Sequence, residues 1–341
     1  MINSIKLLMV WGLFFTTTLL FAYPTAKVTA RVIDDEGKQL QGIKVSCRFE
    51  LPKVGGLGVK STIKEGLTDQ NGLFTAKGST SSGFASCGAK DKNYYRGGAG
   101  TGRFTGVSGI YGFRKWQPWN PTIDVILKRK INPIPMYVGE LTGKYKSKTG
   151  DLPPELPEEG KFFGYDLIAK DWVVPHGQGL HSDFMFKIDV AHYVDTSDYD
   201  STMTLKFSNP DDGIQSFYTP KNRGSDLRSA HHAPLAGYQD KLKTRDLAEQ
   251  GKVYKPQNRD DQNYYFRIRT KRDEQGNIIE AHYGKMYGGF IFSFPSDGEK
   301  GEIYFSYYLN PNNNDTNVEN APEKNLFPKP KGHRGPYLFN P

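Results

Sequence analysis

KVTARVIDDEGKQLQGIKVSCR, residues 27–48, carries the reading of the fold. Val28, Ala30 and Val32 alternate with Thr29, Arg31 and Ile33, the period of a strand with one strongly buried face. Asp34-Asp35-Glu36-Gly37 is a turn, because its carboxylates can accept nearby backbone amides and Gly37 tolerates positive φ. Ile43, Val45 and Cys47 then alternate again as a second strand. Working outward, residues 66–76 read GLTDQNGLFTA, where Asp69, Asn71 and Gly72 form a tight turn between two extended segments. Ile123, Val125 and Leu127 give one more strand before Lys128-Arg129-Lys130.

The strand followed by D-x-x-G-x-x-L-x-G-I-x-V, then T-D-x-N-G-x-F, resembles the carboxypeptidase regulatory-like domains. The match runs over residues 28–45 and 68–74, with residues 122–127 as the last strand. The resemblance implies a small transthyretin-like (prealbumin-like) sandwich of seven or so strands. It also implies a scaffold or surface module with no activity of its own, of the kind attached to peptidases, receptors and adhesins. The departure is length, since this chain has more residues between the middle and last strands than the family usually has.

The chain opens with Lys6 ahead of a largely apolar run, residues 7–22, broken only by Gly12 and Thr16 to Thr18. A charged segment followed by so short an apolar run reads as a secretory signal peptide, residues 1–22. It falls short of the roughly 20 residues a membrane span needs. A signal anchor is the alternative, and no integral span is expected after cleavage. The expected location is periplasmic or secreted. Cys47 and Cys87 are the two cysteines, and an even count in an oxidising compartment predicts a disulfide. The formal charge of +8 is concentrated between residues 27 and 130, which hold 18 basic and 8 acidic residues. That imbalance points to an anionic partner for the first half.

Residues 94–119, YYRGGAGTGRFTGVSGIYGFRKWQPW, fall in the long connection before the last strand of that half. Gly97, Gly98, Gly100 and Gly102 do not meet the G-x-G-x-x-G spacing and lack the strand–helix setting of a phosphate cradle. After Tyr111 and Phe113, Arg114, Lys115, Trp116 and Trp119 offer guanidinium, ammonium and aromatic faces together, which suits an anionic glycan or an envelope protein. The same tryptophans could instead plug an interface between the two halves. Such interleaving is also a nucleic-acid footprint, but the compartment argues against nucleic acid.

Prolines 133, 135, 153, 154 and 157 mark residues 131–160 as a linker, although residues 136–141 could be a strand joining a sheet. Beyond it, residues 184–190, 203–207, 264–270, 278–283, 290–294 and 303–309 alternate with polar turns between them. The expected architecture is therefore all-β: a transthyretin-like sandwich over 23–130, then an antiparallel, jelly-roll-like sandwich over 161–310. Residues 239–250, closed by Gly251, look helical, and residues 311–341 read as a polar irregular tail.

HExxH, GxSxG and the acidic calcium-loop motif are absent, and no metal or cofactor is expected. His176, His181 and Asp183, followed by His231-His232, could meet at a metal. Asp195, Asp198 and Asp200 could hold calcium, but both sets read more readily as polar loops. Asp166, Asp171, Asp183 and Asp189 are the unranked carboxylates of a possible glycoside hydrolase. The favoured function is an exported, non-enzymatic binding or structural module. The alternative is a secreted polysaccharide hydrolase using carboxylates of the second sandwich.

Overall fold

The computed structural model describes residues 23–53, 58–101, 104–110, 113–142, 148–219, 224–254, 259, 261–293, 300–331 and 337–341. The expected signal peptide, Gly102, Tyr111, Phe294 and parts of the proline-rich and C-terminal segments lie outside these residues. Among the described residues there is no helix, and the chain is all-β, arranged as packed sheets.

The first sandwich is built from β1 (Thr25–Asp34), β2 (Lys44–Pro52), β3 (Val59–Leu67), β4 (Leu73–Ser79), β5 (Ala85–Lys90), β6 (Gly97–Gly100), β7 (Gly106–Ser108), β8 (Lys115–Gln117) and β9 (Thr122–Leu127). One sheet sets β1 between antiparallel β4 and parallel β9, with the β7–β8 hairpin at the start of β1. The facing sheet runs β3-β2-β5-β6, antiparallel throughout. Val28, Ala30 and Val32 meet Val45, Cys47 and Phe49 in a closed core, as the alternation requires. The turn chemistry is as read: Asp69 Oδ1 accepts the amides of Asn71 and Leu73, each at 2.9 Å. Gly72, at φ 69°, comes so close to the Val32 carbonyl that a Cβ would sit 2.8 Å from it. Cys47 lies directly across from Cys87 in the β2–β5 register, and the two form a disulfide. The glycines of residues 94–119 also find their purpose here. A Cβ on Gly97 would strike the Ile126 carbonyl at 2.1 Å, so glycine lets β6 pack directly on β9.

The second half of the chain supplies β10 (Ile134–Leu141), β11 (Phe163–Asp166), β12 (Asp171–Trp172), β13 (Phe184–Asp195), β14 (Asp198–Lys206), β15 (Gly213–Tyr218), β16 (Gly224–Ser225), β17 (Lys241–Ala248), β18 (Gln262–Arg272), β19 (Ile278–Tyr287), β20 (Ile291–Phe292), β21 (Ile303–Leu309) and β22 (Asn320–Asn325), and all but β16 form the second sandwich. A seven-stranded sheet, β15-β18-β19-β21-β10-β22 with β20 beside β21, faces the five-stranded β12-β11-β13-β14-β17. Between them lies an aromatic core, with Phe184 edge-on to Phe266 and Phe207 at 5.2 and 5.7 Å.

Two sequence expectations need correction and one alternative is met. Residues 239–250 are not helical: β17 pairs with β14 over eight consecutive positions, exposing Lys241, Lys243 and Arg245 on alternate residues. Cross-strand pairing overrides the helical propensity of that polar run. Within 131–160, residues 136–141 are the strand the sequence allowed, part of β10 between β21 and β22. The polar tail supplies β22 itself, and Asn317, Glu319 and Asn320 are buried there with hydrogen-bond partners.

The two halves are stitched together. β16, from the second half, pairs with β6 and so extends a sheet of the first sandwich. Glu319 accepts from Tyr95 Oη at 2.8 Å and from the amides of Ile131 and Asn132 at 2.9 and 2.6 Å. Three donors on one buried carboxylate satisfy it at the seam.

Candidate ligand-binding face

The expected site divides into buried and exposed parts. Trp116, on β8, is half-buried against the first core, stacked on Phe104 with ring centres 6.0 Å apart. Its Nε1 donates to the Thr80 carbonyl at 2.9 Å. Trp119 is also half-buried, with Lys115 Nζ 5.1 Å above its ring. Arg114 and Lys115 are exposed, and the β7–β8 hairpin presents Ile110 and Phe113 at 77% and 75% exposure. Trp116 therefore acts as a packing residue. Trp116→Ala should destabilise the protein by about 2 kcal/mol in urea unfolding, the loss expected for a largely covered aromatic side chain. An unchanged midpoint would place its ring outside the core.

The carboxylates named as catalytic candidates are locked into structure. Arg269 donates from Nε and Nη2 to Asp183, both at 2.8 Å, and from Nη2 to Asp166 at 3.1 Å. Arg269 sits at φ 56° in a β-bulge of β18, and Asp212 fixes that bulge by accepting the amides of Arg269 and Thr270. Burial pushes the Asp183 carboxyl up despite the adjoining guanidinium. Burial also works to raise Asp166, but the amides of Ala169, His181, Leu180 and Ile168 outweigh it and hold that carboxyl below its ordinary value. Asp171 caps the amides of Trp172 and Gln178, and Asp189 pairs with Lys187 at 2.8 Å. A glycosidase needs two carboxyl groups flanking an open sugar site. Here two of the four, both buried, share one half-buried guanidinium and a third caps a loop.

The histidines do not converge. The His176 ring meets Phe163 edge-on, His181 contributes its backbone amide to Asp166, His231 contacts the Arg129 carbonyl and His232 contacts Thr316. Asp195 accepts from Ser197, Asp198 contacts His192, and Asp200 pairs with Arg245. Among the described residues, no group of three or more His, Cys, Asp or Glu could hold a metal ion.

A basic and aromatic surface does form, on the outer face of the five-stranded sheet. On β14, Tyr199, Ser201, Met203 and Leu205 turn inward, which places Asp200, Thr202, Thr204 and Lys206 on the other face, where Thr204 is itself buried. Lys206 lies directly opposite Lys241 on β17, and Thr204 lies between Lys187 and Lys243. Phe162 sits among these cations, with Lys206 Nζ 4.0 Å and Lys187 Nζ 5.3 Å from its ring centre. Lys206, Lys241 and Lys243 have no ion pair among the described residues. Like charges directly opposite in a sheet are destabilising, so stability does not account for Lys206 facing Lys241. Lys241 and Lys243 also line a groove of about 780 Å³ with Tyr238, Arg267, Arg272 and the carboxylates of Asp211, Asp212 and Asp240. Arg267 spends its donors on the carbonyls of Asp211 and Leu235 and stacks 4.9 Å from Tyr238, while Arg272 holds Asp211 at 2.7 Å.

No family model matches the chain, and no curated protein matches it. Among solved structures, the chain is similar to one described as "Structure of the Streptococcal ancillary pilin", at 13% identity and a TM-score of 0.19. The alignment covers 89% of this chain and spans 63% of that one.

Proposed function

We propose that the protein is an exported, non-enzymatic binding module whose second sandwich holds an anionic polysaccharide on the Lys206–Lys241–Lys243 face. The observation that carries this reading is the cross-strand pairing of Lys206 with Lys241 without a carboxylate partner, beside Phe162 and the groove. Ammonium groups supply charge-assisted donors to uronate or sulfate groups, and ring faces suit the apolar side of a sugar. The buried disulfide fits an oxidising compartment. The strand arrangement of the first sandwich fits a transthyretin-like scaffold. A protein partner has its own support, because the β7–β8 tip exposes Ile110 and Phe113 beside Arg114 and Lys115.

Single exposed ion pairs contribute only about 0–1 kcal/mol, so affinity on this face must come from several lysines engaging one polymer. Replacing Lys206, Lys241 and Lys243 together by glutamine should weaken binding to polygalacturonate at least tenfold, or about 1.4 kcal/mol. The melting temperature should hold or rise, because a like-charge pair is removed. Added salt should weaken the wild type, since exposed charges are screened beyond a Debye length of about 10 Å at 0.1 M. Equal affinity in the triple variant, or equal binding of neutral dextran, would contradict the proposal.

A further inference from the structure

β3 has the properties of an interface strand. It pairs with β2 over nine consecutive positions, from Lys44–Leu67 to Pro52–Val59, and among the described residues no strand pairs with its other side. That open side carries a row of unpaired amides and carbonyls. The opposite edge of the same sheet is closed by β16. β3 is also exposed on both faces: seven of its nine residues are exposed and the other two half-buried. Val59, Ile63 and Leu67, at 54%, 50% and 65% exposure, form an apolar row on the outward face. Native proteins protect sheet edges by shortness, proline, bulges or inward-pointing charge. β3 has none of the first three, and Lys60 and Lys64 are its one guard.

We infer that β3 pairs antiparallel with β3 of a second copy about a two-fold axis through Ile63, joining the two sheets into one. The charges on the strand select this register. With the axis at Ile63, Val59 meets Leu67, Lys60 meets Gly66, Ser61 meets Glu65, Thr62 meets Lys64, and Ile63 meets its counterpart. The apolar row becomes continuous across both copies, and no like charges stand opposite. Side chains alternate, so the outward faces of two copies stay on one side only if the register shifts in steps of two. Shifting one way sets Lys60 against Lys64 twice, and the other way sets Lys64 against itself. Each shift opposes like charges, which destabilises the pairing. The guarding lysines therefore block other registers and leave this one open. A self-complementary strand of this kind makes an isologous contact, which closes at two copies.

Sedimentation velocity on the full chain tests the pairing at rising concentration. The wild type should pass from monomer to dimer at about 10–100 μM, the weak association expected of a contact built on a single strand. Ile63→Lys puts two ammonium groups across the axis and should leave the protein monomeric over the same range, with a small drop in melting temperature because residue 63 stands opposite Arg48 on β2. Ser61→Lys faces Glu65 of the second copy on both sides of the axis and should tighten the dimer about threefold, a gain limited because Glu65 already pairs with Lys44 at 2.9 Å. A wild type monomeric throughout, a dimer surviving Ile63→Lys, or a dimer weakened by Ser61→Lys would each overturn the inference.

Discussion

Replacing Arg269 by methionine is expected to destabilise the protein by about 3–5 kcal/mol, because it strands buried carboxylates without their counter-charge. The Asp183 and Asp166 side chains are 1% and 5% exposed, and both receive hydrogen bonds from this guanidinium. The deficit should be read from urea unfolding of wild type and variant at neutral pH, and it should shrink as the pH falls. The sign follows from proton binding. Without Arg269, Asp183 is left with a folded-state pKa raised by burial above its unfolded value. The folded variant then binds more protons than the unfolded chain as the pH drops toward 3.8, the ordinary aspartate value. Protonation thus restores part of the lost stability. A loss under about 1 kcal/mol at neutral pH, the scale of a surface ion pair, would show that solvent reaches the cluster.

The second large effect belongs to the disulfide. The Cys47→Ala, Cys87→Ala double variant should lose roughly 4 kcal/mol, the chain-entropy value for a loop of this length. The bond closes a separation of 40 residues between two adjoining strands, and both cysteines are buried. Removing both sulfurs avoids leaving one reactive thiol. Thiol labelling of the denatured, unreduced wild type should find no free cysteine. Two labelled thiols, or unchanged stability in the double variant, would contradict the assignment.

These residues also show what the sequence could and could not reveal. The first sandwich was legible because its turns are local: Asp69, Asn71 and Gly72 satisfy one another within a few residues. Cys47 and Cys87 were legible by count and compartment. β17 was misread because Lys241–Ala248 has few apolar residues to display a period, and its strand character comes from β14. β22 was missed because its polar side chains bond to residues far along the chain, as the half-buried Asn325 does with Val138. Asp166 and Asp183 could be named, but Arg269 stands 103 and 86 residues away, so their structural role was invisible. The expectation of cations beside aromatic rings had sound chemistry, and the structure has a second instance of it in the other sandwich. Phe162, Lys187, Lys206 and Lys241 are scattered in sequence, and only the register of β13, β14 and β17 brings them together.

Hydrogen exchange with and without polygalacturonate, at a concentration that saturates binding, tests the central claim most directly. The proposal expects slower exchange in peptides from β13, β14 and β17 and around Phe162, with the β7–β8 hairpin unchanged. Protection confined to residues 106–117, or none on the five-stranded sheet while the polymer is bound, would contradict it.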